Sequence, residues 1–292
     1  VKLDEKTHRT VDVGVTIDTY CRSPIRRTAR TILDWSTERS TPAKVHILPG
    51  ALAGFKMQGG VSRQYRDGSY ELPVCAFISN LVQPGWHCVD AGAHPGYFSL
   101  LLAKKVGKGG KITAFEAHPE NARRLKKHLQ INHLDDRVTI ENQAVSNGLT
   151  STVSLFEGRN DSSCEWNIIG RDTAGKMKEA VLQIPATSLD ISFPPSIAID
   201  FIKMDIEGAE ELALSGMRRI LRESRPLVLV EFHNPEAWAA RIELTNAGYR
   251  LYDVEHSSWI DQTSDSERAY LCLAVPENRV VALTSQINPQ PL

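Results

Sequence analysis

No apolar run in this 292-residue chain approaches the roughly 20 residues that a membrane-crossing helix needs, so no such span is expected. Net charge is nearly absent as well. The 34 basic and 35 acidic side chains leave −1, and no overall basic field draws the protein to nucleic acid or anionic lipid. The five cysteines, Cys21, Cys75, Cys88, Cys164 and Cys272, are scattered, and no pair has metal-ligand spacing. They read as inert thiols in a reducing compartment, which makes cytoplasm the expected location. The opening VKLDEKTHRT is too polar for a signal peptide. There is no H-E-x-x-H motif, no internal repeat and no low-complexity tract.

What the chain does have is alternation. Residues 1–80 are polar, basic and glycine-punctuated, and read as an N-terminal extension packed on, or lidding, the main domain. Within them VSRQYRDGSYEL alternates like a hairpin around Asp67-Gly68. From residue 81 to 280, short apolar runs alternate with helical patterns. WHCVDA, KITAFEA, RVTIENQAV, DFIKMDI, PLVLVEF, YRLYDVE and AYLCLAV read as strands. YFSLLLAKKV, PENARRLKKHLQIN, EELALSGMRRIL and PEAWAARIELTNAG read as helices. The pattern predicts an α/β fold, a doubly wound, mostly parallel sheet covered by helices on both faces. Residues 146–199 break the rhythm, with β segments at TVSLFEG and AVLQIPATSLD and a loop over 162–175. Residues 281–292 form a tail that ends in a frayed SQINPQPL.

The stretch VDAGAHPGYFSL, residues 89–100, is a strand turning through glycine into a helix, at the carboxyl end where doubly wound sheets hold ligands. Gly92 and Gly96 allow close backbone approach, and Ala93 and His94 complete the turn. A dinucleotide fingerprint would need glycine where His94 stands, and Asp90 would repel a phosphate. Asp90 suits a cation such as an α-ammonium instead. The second strand ends in Glu116-Ala117, and a carboxylate there can accept both ribose hydroxyls of a nucleoside. The third ends in Asn142, Gln143 and Ala144, placed to meet an adenine edge. An ammonium, a carboxylate and a ribose together describe S-adenosylmethionine (SAM) better than NAD.

VDAGAHPGYFSL, TAFEAHPENARRLKKHLQIN and FIKMDIEGAEELALSGM, in that order, resemble the FkbM-type SAM-dependent methyltransferases. The likeness runs over about residues 70 to 255, with Ser69-Tyr70-Glu71 ahead of the first strand. Its most specific part is K-x-D-x-E-G-x-E, here Lys203, Asp205, Glu207, Gly208 and Glu210. The resemblance implies a class I, Rossmann-like methyltransferase fold with seven strands, the last antiparallel, and methylation of hydroxyl groups on natural products or sugars. Two departures stand out: His94 where the family often has asparagine, and Ala117 where it has proline after the glutamate.

A hydroxyl acceptor must lose its proton as it takes the methyl group. His233 is the first candidate for that base, with Asp205 and Lys203 beside it and Glu71 near the cofactor. Asp205 also counts as a cofactor residue, at the sulfonium end. Asp205, Glu231 and His233 offer a second reading, a divalent metal that acidifies the acceptor. Glu207 and Glu210 read as the start of a helix. Arg63, Tyr65 and Tyr70 could face the ligand. His118, His128, His133 and the cluster Arg123, Arg124, Lys126, Lys127 read as a solvated helix side. The expected partner is a small-molecule acceptor, with nucleic acid or an amine as other acceptors, and no membrane. An NAD-dependent oxidoreductase and a SAM-binding module without activity are the rivals; oligomeric state is open.

Overall fold

The computed structural model describes residues 44–157, 166–167, 182–233, 235–261 and 270–287. Cys21, Cys164, Asn234, the basic CRSPIRRTAR segment and the tail beyond residue 287 lie outside them. The described chain opens with a hairpin, β1 (Val45–Ile47) and β2 (Lys56–Gln58), followed by helices α1 (Arg63–Asp67) and α2 (Leu72–Leu81).

The expected hairpin at Asp67-Gly68 is instead this helix pair. The Ser62 hydroxyl accepts from Tyr65 N and starts α1, and Gly68 ends it in the left-handed region at φ 74°. An Asp-Gly pair serves a helix end as well as a hairpin turn, and here the serine cap decides between them.

The main domain then runs β3 (His87–Ala91), α3 (Tyr97–Val106), β4 (Lys111–Phe115), α4 (Pro119–Ile131) and β5 (Val138–Glu141). The predicted third strand is split at Asn142-Gln143. Its continuation, β6 (Ala144–Val145), pairs away from the main sheet with β9 (Leu182–Thr187), which β7 (Thr152–Glu157) and β8 (Trp166–Asn167) extend into a four-stranded sheet. After α5 (Leu189–Ser192) and β10 (Phe201–Met204), the predicted helix over 210–221 is two helices, α6 (Glu210–Ser215) and α7 (Arg218–Glu223). The Asp190 carboxylate accepts from Arg219 N and Ile220 N at 2.9 and 3.0 Å, capping a fresh helix start. β11 (Leu227–Glu231) follows, and the next predicted helix is also broken, into α8 (Pro235–Ala239) and α9 (Ile242–Asn246). β12 (Tyr249–Asp253), β13 (Ser258–Trp259), β14 (Leu271–Pro276) and α10 (Val280–Ile287) complete the described chain.

The main sheet has the order β13-β12-β14-β11-β10-β3-β4-β5. Seven strands are substantial, and β13 adds two residues at one edge. Of the seven, β14 runs against the rest, antiparallel to both β11 and β12. Parallel strands covered on both faces should be apolar on both, and they are. Phe201, Leu227, Leu229 and Leu273 face α2, α3 and α4, while Ile202, Met204, Val228 and Val230 face α6 to α9. Two of the buried polar exceptions in this sheet, Asp90 and Lys203, are register partners on β3 and β10. Strand order reverses between those two strands, which is where a ligand crevice belongs.

Residues 44–81 share the first of these cores: Leu52, Met57 and Ile78 are fully buried in it. They also correct the reading of one stripe of α4 as solvated, while Arg123, Lys126, Lys127 and His133 are exposed as expected. His128 is 1% exposed, with Nδ1 2.6 Å from Pro95 O and Nε2 3.0 Å from Gln58 O. Asn132 bonds Lys56 through both backbone groups, and Arg124 donates to Gly60 O. One helix stripe, 124-128-132, thus carries the hairpin segment. Of the cysteines, Cys75, Cys88 and Cys272 are buried and unpaired, and burial pushes their thiols well above the ordinary range.

Candidate active site

The β3 tip reaches the site through a turn that only glycine can make. Gly92 has φ 81°, and a Cβ there would stand 1.8 Å from Asp205 O at the tip of β10. Gly96 has φ 102°, and its missing Cβ leaves room for Leu125 of α4. Between them His94 is left-handed at φ 50°, a region that asparagine and histidine enter more readily than other side chains. That shared tolerance accounts for histidine in the place of the expected asparagine.

Glu116, 4% exposed, organises the turn. Its Oε2 accepts from His94 N at 2.7 Å, and its Oε1 accepts from His118 N at 2.8 Å and from Asn121 Nδ2 at 3.4 Å. A carboxylate offers about four acceptor positions, so three protein donors leave it able to take a ligand hydroxyl. Asn142 donates through Nδ2 to Glu116 O and Ala117 O at 2.7 and 3.1 Å, which ties β5 to β4. Asp90 is fully buried and accepts from Ser99 Oγ at 2.6 Å, while its other oxygen has no hydrogen-bond partner. Burial raises its pKa, and the nearby Lys203 charge works in the other direction.

The far end of the site is charged. Lys203, 4% exposed, donates to Asp205 Oδ2 at 3.0 Å and lies 5.0 Å from the Phe98 ring centre. The carboxylate that pairs this buried strand lysine is therefore Asp205. Burial opposes the Asp205 charge, but Lys203 and His233 outweigh it and hold that carboxyl below its usual range. Glu231 moves the other way, lifted well above the carboxylate range by burial and by the Asp205 and Glu71 charges. For His233, burial disfavours the proton, yet its bond to Glu210 and the charges of Asp205, Glu210 and Glu207 prevail and raise it to about 10.

Three non-glycine residues at this site, Glu71 (φ 38°), His94 (φ 50°) and Glu207 (φ 56°), are held in the left-handed region. Such strain persists only where the surroundings enforce it.

A pocket runs between the two ends. Of the expected residues it is lined by Gly92, His94, Glu116, Ala117, Gln143, Ala144 and Asp205. Asp90, Ala93, Gly96, Asn142, Glu71, Lys203 and His233 do not line it. Phe115, Val145, Leu155, Ile206, Glu207 and Ala209 complete the wall. Nothing in the sequence pointed to Leu155, which arrives from the second sheet. Glu207 was visible in the K-x-D-x-E-G-x-E motif but reads there as helix start. Of the other candidates, Arg63 is exposed and pairs Asp67 at 3.8 Å, while Tyr65 packs in the core, stacked on Tyr97 at 4.7 Å. Tyr70 packs edge-on against both rings.

The model of the "Methyltransferase FkbM domain" matches residues 90–251, more than half of the chain and the whole span from the β3 tip to β12. The chain belongs to the FkbM methyltransferase family. Its doubly wound sheet is the Rossmann-like fold of SAM-dependent methyltransferases.

Among solved structures it is similar to an FkbM methyltransferase from Methylobacillus flagellatus KT, at 21% identity over 67% of this chain and 45% of that one, TM-score 0.43. The chain therefore spans less than half of that relative. A SAM-dependent O-methyltransferase from Thermotoga maritima is 15% identical over 70% and 63% of the two chains, TM-score 0.39. Aeropyrum pernix fibrillarin, solved with natively bound S-adenosyl-L-methionine, is 12% identical over 68% and 72%, TM-score 0.38. No curated protein matches the sequence. Among the described residues no helix is long and apolar enough to cross a membrane.

Proposed function

We propose that this FkbM-family chain transfers the methyl group of SAM to a hydroxyl group of a small molecule. One observation carries the reading. A single pocket joins Glu116, at a strand tip suited to a ribose, to Asp205 and Glu207, at the tip across the switch point. The nucleoside lies along Glu116, with Gln143 and Ala144 at the adenine edge and Val145 and Leu155 against its face. The sulfonium then points toward Asp205. Asp90 supports the turn from behind through Ser99, and the Gly92–Gly96 backbone meets the amino-acid end.

Methyl transfer from a sulfonium is an in-line displacement, so the chain's work is orientation, exclusion of water and removal of the acceptor proton. Deprotonation falls to the Asp205–Glu231–His233 end. Glu210 holds the Nδ1 side of the His233 ring, so Nε2 is the nitrogen that would take the acceptor proton. Lys203 holds Asp205 in place and takes no part in proton transfer.

Calorimetry against SAM, its demethylated product S-adenosylhomocysteine and NAD tests the cofactor. Binding of the first two and not the third is expected, and preference for NAD would overturn the reading. Transfer of a labelled methyl group to hydroxylated acceptors, read by mass spectrometry, separates enzyme from binder; methylated nitrogen in the product would refute the hydroxyl assignment.

A further inference from the structure

We propose that the tips of β10 and β11 form a divalent metal site, with Asp205, Glu231 and His233 as ligands and Glu207 beside them. His233 Nδ1 lies 2.8 Å from Glu210 Oε1, so in the neutral ring the N–H is on that side and Nε2 offers its lone pair on the other. There it faces Asp205 Oδ1 at 3.5 Å, Glu231 Oε1 at 3.6 Å and Glu207 Oε2 at 3.7 Å. All four atoms are acceptors, drawn from the adjoining tips of β10 and β11. The gaps are too long for hydrogen bonds, and a proton on Nε2 would bond none of the oxygens well. A cation between them would bond several. Donors about 2.1 Å from one ion, at angles of 90–120°, stand about 3.0–3.6 Å apart, close to the spacing found here.

A second observation is that the ligands are held from behind by different residues. Asp205, 9% exposed, gives Oδ2 to Lys203, and its Oδ1 makes no hydrogen bond among the described residues. The Tyr270 hydroxyl lies beside Glu231, and the Tyr270 ring packs edge-on against His233 at 5.5 Å. Glu210, fully buried, orients His233 and is itself fixed by Gly208 N at 3.1 Å. Its other oxygen is buried without a partner, which adds negative charge behind the ring. An orienting carboxylate behind a histidine is the usual support of a metal ligand. Oxygen donors with one imidazole and no thiolate suit Mn²⁺ best and Mg²⁺ next, and disfavour soft ions.

The role of the ion rests on the methyl-transfer reading; the site itself does not. Asp205 and Glu207 line the pocket, so the ion's open positions face the acceptor. A hydroxyl bound there is acidified and gives its proton to solvent water. Its oxygen then forms a C–O bond to the methyl carbon as the C–S bond breaks, and that electron pair leaves on sulfur as a neutral thioether.

The test uses the full chain, stripped with EDTA, dialysed and titrated with MnCl₂ in the absence of any methyl donor. Calorimetry and the loss of the free-Mn²⁺ resonance are expected to give one bound equivalent, displaced by excess Mg²⁺. Pulsed resonance should show coupling to one imidazole nitrogen, absent in His233→Ala. Glu231→Gln and Glu210→Gln, with the fold checked by thermal melts, should each weaken binding by about tenfold or more. No stoichiometric binding, no nitrogen coupling, or wild-type affinity in a folded E231Q protein overturns the proposal. A chain that binds Mn²⁺ but never SAM refutes the methyl-transfer reading alone; one that binds SAM but not Mn²⁺ refutes the metal alone.

Discussion

The two ends of the pocket handle polar groups in opposite ways. At the β3–β5 tips, Glu116 collects three protein donors and Asn142 spends its amide on two backbone carbonyls. At the β10–β11 tips, carboxylates and an imidazole converge at 3.5–3.7 Å without bonding one another. The first end is mostly satisfied by the protein itself and keeps acceptor capacity on Glu116 for a ligand hydroxyl. The second gathers Asp205, Glu207 and Glu231 around one imidazole with Lys203 as its lysine, an arrangement that suits a positive occupant. A sulfonium passing a methyl group toward a cation-supported hydroxyl would use both.

Mutations can test how far the two ends differ. The largest effect is expected from Lys203→Met, which strands Asp205 and Asp90 as buried carboxylates without their cation. Urea unfolding should show a loss of about 3–5 kcal/mol, and a loss near zero would mean that Asp205 simply takes up a proton. Glu116→Gln should weaken SAM binding by about ten- to a hundredfold, in line with about 1–3 kcal/mol for bonds to a charged group. Mn²⁺ affinity should not move, and a parallel loss of both would erase the distinction between the ends. His128→Leu removes a ring lodged between two carbonyls and should cost about 1–3 kcal/mol in thermal or urea unfolding by taking the ring N–H from the buried carbonyl that accepts it. The smallest effect belongs to His94→Asn, expected within about 0.5 kcal/mol of wild type because asparagine shares the left-handed backbone; His94→Val should lose about 1–3 kcal/mol.

The same division explains what could be read in advance. α3 was visible to the residue, Tyr97–Val106, because its signals are local: a glycine turn before it, apolar spacing within it and Gly107 after it. Strand tips were legible for the same reason, and with them Asp205, Glu231 and His233, whose juxtaposition follows from the pairing of neighbouring strands. His128 was misread because its cover comes from residues near 58, far away in the chain, and no helical periodicity records a distant lid. Glu210 was placed correctly at a helix start, but its second role as the support of His233 depends on a bond across 23 residues. Leu155 lies in the β segment read at TVSLFEG, but its place in the pocket depends on how that segment pairs with β9, which local pattern does not record.

Gly92 makes the two ends one mechanical part. With 1.8 Å between the Asp205 carbonyl and the place where a side chain would begin, the turn and the β10 tip touch through bare backbone. Any displacement of the turn therefore leans on the strand that carries Asp205, which the Asp205 N to Ala91 O bond at 3.1 Å also ties to β3.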